Sequence, residues 1–399
     1  MAISQLATLI LSAGADYVTA IAQDATYIYI GCLKDSTTDS YIVRVNKGTF
    51  IEIDKTLITS STGAANPPRH IIPTVTGGGL IVIRSGGHHS SASRVANRDV
   101  VELWNAATMT VLDTIDIGAT QGYNGLGAAQ LIGNALYVAG TQTTFIGGTK
   151  PIQRIFKITH TGSTLTLVSS ISIVTNISVP GNPYLIDSTI NDTSEHIYFL
   201  SQGGSSGTAY TRIHKMNVAS FVISSTLDMA AGIRLVTDGT DYMDATFIYD
   251  GFLYFGTKST PAKVHQIDLT SFLYITAITL AGNNCRTIMK NRGWAACGLS
   301  HNSPNATVIE VDLDGFWPSG SSFVATNTAE RFPFFSTVES DNATVGYYGT
   351  QSPAPARIVK VGLSDPLPAP VIAVPVSGGP NVKRRPYPYN GGIISNGGW

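Results

Sequence analysis

Charge, cysteine and long apolar runs are all scarce in this sequence, and each scarcity removes a class of function. Only 13% of the 399 residues are charged, and 25 Lys and Arg face 26 Asp and Glu. No global field therefore draws the chain to nucleic acid or to an anionic membrane. Three cysteines, Cys32, Cys285 and Cys297, are too few for a disulfide framework. Cys285 and Cys297 flank a turn expected at Asn291 to Gly293 and could face each other across a hairpin; free cysteines are commonly core residues, so all three are read as buried thiols. No apolar run approaches the roughly 20 residues of a membrane helix, so no membrane insertion is expected.

Catalytic motifs are missing as well. The sequence holds no G-x-S-x-G elbow, no HExxH and no paired-cysteine motif. Gly122, Gly125 and Gly127 imitate a dinucleotide loop but precede a strand instead of opening a helix, which removes the physical basis of phosphate binding. Asp312 and Asp314 before Gly315 look like a fragment of a calcium loop whose other ligand positions are unfilled, and read better as a turn. Neither an enzymatic activity nor a cofactor is expected.

What is abundant suits a large β-rich core joined by tight turns: 43% hydrophobic residues and 40 glycines. A repeat is also present. A strand-like run rich in aromatic and β-branched residues occurs seven times: Ile28–Gly31, Ile81–Ile83, Leu136–Gly140, Ile197–Phe199, Leu253–Gly256, Trp294–Gly298 and Gly346–Gly349. A second run follows each, patterned apolar, variable, polar, apolar, then usually Asn, Asp or Thr. Its copies begin at Ile42, Val100, Ile155, Ile213, Val264, Val308 and Ile358. His214 and His265 share one position of this run, which argues for a packing role. Two weaker strands separate successive pairs, as in Ile275–Leu280 and Asn284–Met289, so each unit has four strands, named A to D from the centre outward. Seven units of this period, none able to bury both faces alone, predict an all-β, seven-bladed β-propeller over residues 1–365.

Ring closure is predicted too. Pro366-Leu367-Pro368-Ala369-Pro370 cannot readily supply an outer strand for the last blade, whereas Leu6–Leu11 aligns with Ile275–Leu280. Residues 1–12 should therefore close blade seven and remove an exposed edge.

The Tyr-aromatic-Gly and Val-x-Lys/Gln-Ile-Asp elements resemble the seven-bladed propeller repeats of the YVTN type found in microbial surface proteins. The B-strand tyrosine is expected to be replaced by Val82 in blade two and by Ala295 in blade six. The resemblance speaks for fold; propellers of this kind host binders, scaffolds and enzymes alike.

Connections from B to C and from D to A emerge on one face of such a disc. The longest, Arg84 to Asp99, Thr141 to Gln153, Gly118 to Leu126, Asn176 to Tyr184 and Ala230 to Met243, cluster on blades two to five. A recognition surface is expected there, carried by His88, His89, Arg94, Arg98, Tyr123, Asn124, Tyr184, Asp241 and Tyr242. The two histidines lack the further ligands that a metal site requires. After Ser364 the composition shifts to an extended Pro/Gly-rich tail, 366–399, with Lys383, Arg384, Arg385, Tyr387, Tyr389 and Trp399 as anchors for docking on a neighbouring subunit. The basic run is too short to indicate nucleic acid.

The leading expectation is a non-enzymatic structural and protein-interaction module, such as a tail or capsid appendage of a bacteriophage virion. A carbohydrate-binding propeller stacking sugars on Tyr123, Tyr184 and Tyr242 is the second, with a surface glycan as ligand and an extracellular or cell-surface setting. A propeller enzyme with a metal in the central channel is the third.

Overall fold

The computed structural model describes residues 3–34, 39–58, 67–74, 78–85, 99–118, 125–141, 153–173, 184–191, 193–203, 210–229, 233, 245–257, 259–291, 293–300, 306–325, 333–338, 344–350 and 355–363. The chain divides into two units, Met1–Pro366 and Leu367–Trp399, and every described residue falls in the first. That unit is a seven-bladed β-propeller of four-stranded antiparallel sheets.

The first strand, β1 (Ser4–Ile10), belongs to the last blade. Blade one is β2 (Tyr17–Gln23), β3 (Tyr27–Leu33), β4 (Ser40–Asn46) and β5 (Ile51–Ile58). Blade two holds β6 (Pro68–Pro73), β7 (Gly79–Arg84), β8 (Val100–Asn105) and β9 (Thr110–Asp116). Blade three holds β10 (Leu126–Ile132), β11 (Ala135–Thr141), β12 (Gln153–His160) and β13 (Leu165–Ile173). Blade four follows with β14 (Tyr184–Ile190), β15 (His196–Gly203), β16 (Tyr210–Asn217) and β17 (Val222–Asp228). Blade five is β18 (Thr246–Tyr249), β19 (Phe252–Thr257), β20 (Ala262–Asp268) and β21 (Leu273–Leu280). Blade six is β22 (Asn283–Asn291), β23 (Trp294–Ser300), β24 (Thr307–Asp312) and β25 (Trp317–Val324). Blade seven, β26 (Pro333–Val338), β27 (Val345–Thr350) and β28 (Arg357–Gly362), is completed by β1, with Ser4 opposite Gly362 and Ile10 opposite Arg357. Both the strand repeat and the N-terminal closure are as the sequence predicts.

Seven apolar clusters hold the disc together between blades. The glycine of the Tyr-x-Gly motif exists for this packing. A Cβ on Gly31 would come within 2.7 Å of Pro68 in the next blade, and one on Gly256 within 2.7 Å of the Cys285 carbonyl and thiol.

One recurring clasp was not anticipated. At the end of the C strand, Asn46, Asn105, Asn217, Asp268 and Asp312 each accept hydrogen bonds from backbone N–H groups two or three residues on. Such Asx turns are a local alternative to continued strand. The turn ends on Phe50, Met109, Phe221, Phe272 or Phe316, each held at a φ of 52–55°, a left-handed conformation that side chains resist. The strain is offset by where the side chain goes. Phe50 meets Tyr347, Phe221 meets Tyr137, Phe272 meets Tyr198 and Phe316 meets Tyr254, in each case the B-strand tyrosine of the preceding blade, at centroid distances of 5.9, 5.9, 6.2 and 5.3 Å. Met109 packs in the cluster of Tyr29 in the same way. Lys157 and Lys215 cap two of these pairs, lying 5.7–6.0 Å from both rings of each.

The clasp explains the two blades that lack the tyrosine, and corrects where it is lost. Register puts Ile81 opposite Leu103 and Ala296 opposite Glu310, the pairing that Tyr29 makes with Arg44. Val82 and Ala295 instead face the preceding blade, among its core residues. The vacated positions are therefore Ile81 and Ala296. Blade three has a different turn closed by Thr161 and Thr164, and Leu165 packs with Ile81. Blade seven has no C-to-D turn, because its D strand is the N-terminus, and Ile3 and Leu363 pack with Ala296. Where the next blade offers no left-handed Phe or Met, the tyrosine has no partner and is absent.

Replacing Phe272 by Ala is expected to cost roughly 2–4 kcal/mol, low in the range for phenylalanine truncations because the ring is only half-buried. Phe272→Gly should be more stable than Phe272→Ala by about 1 kcal/mol, since glycine tolerates the positive φ. Denaturant unfolding of the two variants reads this order; alanine proving the better residue would contradict the strained clasp.

Candidate functional site

Every connection longer than six residues, including 59–67, 85–99, 142–152 and 229–245, joins strand ends on the face where B strands lead to C and D strands lead to A. The opposite face carries only short turns. The asymmetry inferred from the sequence is thus a property of the disc. Of the residues expected to act on this face, Tyr184 opens β14 with its backbone opposite Gln202. His88, His89, Arg94, Arg98, Tyr123, Asn124, Asp241 and Tyr242 lie outside the described residues, as do Lys383, Arg384, Arg385, Tyr387, Tyr389 and Trp399 of the tail.

Beneath the loops the structure shows a polar floor. Arg84, the last residue of β7, donates to Glu102 Oε1 at 2.6 Å, and Trp104 Nε1 donates to Glu102 Oε2 at 2.9 Å. Glu102 is 4% exposed and Arg84 9%, so charge and indole satisfy each other away from water. Asp99, fully buried at the far end of the same loop, accepts from the backbone N–H groups of Gly125 and Leu126 and ties the loop base to blade three. Its own carbonyl accepts from Gly118, and Ser85 N–H donates to Pro67. Between blades four and five, Asp187 bridges the N–H of Ser188 at 2.7 Å and that of Ala245 at 3.3 Å. Carboxylates placed on backbone N–H groups make strong charge-assisted bonds. Here they fix the C-terminal ends of connections 117–125 and 229–245, which carry Tyr123, Asn124, Asp241 and Tyr242.

The inner strands add a second feature. In β2, β6, β10, β14, β22 and β26 the register with the neighbouring strand slips at the same place, bulging out Thr19, Arg69, Gly127, Ile186, Arg286 and Phe334. Bulges bend a strand and re-aim side chains. Polar contacts then link adjacent blades along these inner strands: His70 Nε2 with Gly127 O at 3.1 Å, Gln130 with Ser188 at 2.8 Å, Thr287 with Ser336 at 2.5 Å and Gln23 with Thr337 at 3.3 Å.

The ionisable groups described are tuned for burial. Desolvation lowers His70 to about 4, His214 to about 3 and His265 to about 4. His214 lies between the Ser201 and Thr226 hydroxyls at 3.0 and 3.1 Å, and His265 stacks on Phe255 at 5.0 Å. Both histidines are packing residues, as their shared repeat position suggests. All three cysteines are free and buried, and hydrogen bonding to Cys297 together with burial raises Cys285 well above the ordinary thiol value. Among the described residues no group of three or more His, Cys, Asp or Glu could hold a metal ion, and no helix is long and apolar enough to cross a membrane.

The histidines set an acid limit. Each stays neutral in the folded chain well below pH 6.5, where the same imidazole takes up a proton once unfolded. The unfolded state binds the extra protons between these values, so stability is complete above about pH 6.5 and falls as the pH drops towards 4. His70→Gln keeps a donor facing the Gly127 carbonyl. Its unfolding free energy followed from pH 7 to pH 4 should fall less steeply than that of the parent below about pH 6.5, by up to about 1.4 kcal/mol per pH unit. An unchanged slope would remove the assignment.

The sequence reading missed Glu102, although a charge between Val101 and Leu103 in an otherwise apolar strand is a visible signal for a buried pair. Compared with known proteins, the chain matches no family model and no curated protein.

Proposed function

We propose that this chain is a non-enzymatic structural and interaction module of a protein assembly, gripped along its rim and presenting its loop-rich face outward. The observation that carries this reading is the distribution of exposed apolar side chains. Among the described residues, all fourteen large hydrophobic side chains exposed by 41% or more, Leu6 and Trp317 among them, lie on the outermost strands β1, β5, β9, β13, β17, β21 and β25. Eleven fall within the first four residues of their strand, so the band runs along the edge nearest the short turns. Contiguous exposed apolar surface marks interaction sites, and a rim covered by neighbours leaves the long loops free for recognition. The Pro/Gly-rich tail, with Tyr387, Tyr389 and Trp399, would supply a second attachment. The YVTN-like repeat and the low-charge composition fit a surface or virion appendage as the setting.

A photo-reactive residue placed at Leu112 or Val168 in the native assembly tests the reading. Cross-links to protein from the rim are the expected result; rim positions that react with solvent alone would refute it.

A further inference from the structure

The rim is not uniform, and its charge pattern distinguishes one arc. Strands β5, β9 and β17 carry Glu52, Asp54, Lys55, Asp113, Asp116 and Asp228. Strands β21, β25 and β1, on the consecutive blades five, six and seven, carry no charged residue at all. Strand β13 is also uncharged, but Val168 is its one exposed large hydrophobic residue. The uncharged arc exposes Leu273, Tyr274 and Ile275 in succession, with Trp317, Val324, Leu6 and Ile10 beside them. In the turn ahead of β25, the carboxylate of Asp314 is already engaged by the Tyr249 hydroxyl at 2.9 Å.

Natural edge strands are normally blunted by charge. Here that protection is absent from three consecutive blades, and what remains is the register slip that every outer strand carries. Ile275 and Leu6 each sit where the register with the neighbouring C strand slips, and β25 is interrupted by Pro318 and Gly320. Bulges and proline spoil the ladder that an added strand would need. The arc is therefore suited to packing of side chains and unsuited to capturing an extended peptide.

Resting on the interaction-module reading, we propose that the arc formed by β21, β25 and β1 is the contact between two copies of this chain. Charge argues for the second copy. Two copies meeting along the charged strands would have to bury Glu52, Lys55, Asp113 and Asp116 or the Arg44–Asp54 and Arg212–Asp228 ion pairs, whereas the outer strands of the uncharged arc meet without burying a charge of their own. A twofold contact also requires a patch that complements itself, which a row of aliphatic side chains with Tyr274 and Trp317 as anchors provides. The three strands hold 7, 8 and 8 residues, in keeping with the roughly 20–30 residues a side of a standard interface.

The test uses the purified full chain in sedimentation velocity over a concentration series. A reversible dimer is expected. Ile275→Lys, which brings two like charges together in a twofold contact, should weaken it about a hundredfold. Trp317→Lys should do the same, and Leu112→Lys, on the acidic arc, should leave it intact. Circular dichroism checks that each variant is folded. A chain monomeric at every concentration overturns the proposal, as does a dimer dispersed by Leu112→Lys and untouched by the other two. Pelleting with phosphatidylcholine vesicles, lost on Ile275→Lys, would assign the arc to a lipid surface and also overturn it. A monomer whose outer strands still cross-link to other polypeptides sinks the twofold contact alone; a monomer that cross-links to nothing sinks the module reading as well.

Discussion

Deleting residues 1–11 is expected to abolish the folded monomer. Strand β1 pairs with β28 from Ser4 to Ile10, Leu11 N–H donates to Ala356, and Leu11 and Ile3 are 2% and 4% exposed in two different inter-blade clusters. Losing these two side chains removes about 1.5–3 kcal/mol apiece and the half-buried Leu9 a fraction of that, a large part of the roughly 5–15 kcal/mol by which folded proteins exceed their unfolded states. The deletion also bares β28, whose Ile358, Val359 and Val361 would form an unprotected edge. Size-exclusion chromatography should show aggregate, and a peptide of residues 1–13 added during refolding should restore part of the monomer. A soluble monomer with an unchanged melting temperature would show that the ring does not depend on its clasp.

The second large effect is expected at Glu102. Replacing it by Ala strands the Arg84 guanidinium and the Trp104 indole in the gap between blades one and two, at a cost of about 3–5 kcal/mol, the usual penalty for breaking a buried pair from one side. The double replacement Arg84→Met with Glu102→Leu should recover most of the loss, because apolar residues of similar size need no partner. Chemical denaturation separates the two outcomes. Equal destabilisation by the single and double variants would mean that the pair is worth more than its burial penalty.

The strand repeat was legible because it is written in period-two alternation of aromatic and β-branched residues, which few other arrangements satisfy. Closure was legible from proline at one end and a strand-like run at the other. The clasp was missed for a different reason: an Asn or Asp followed four residues later by Phe or Met reads as an ordinary turn until the positive φ of Phe50, Met109, Phe221, Phe272 and Phe316 is known. Aligning blades by composition alone also slipped one residue at Ile81 and Ala296, and in a strand one residue is the difference between facing one neighbour and the other. The loop-rich face could be located by the lengths of its connections; which side chains converge on it depends on loop conformations that no periodicity encodes. The acidic and uncharged arcs of the rim were present in the sequence throughout, but they become surfaces only once the D strands are known to be outermost.

Two junctions, between blades two and three and between blades six and seven, lack the clasp of a B-strand tyrosine with a left-handed Phe or Met, and this divides the circle unequally. Blades seven, one and two stay locked to one another, as do blades three to six. Heat or mechanical load should thus split the disc along two seams into a three-blade and a four-blade segment, each exchanging its amide hydrogens as one cooperative block.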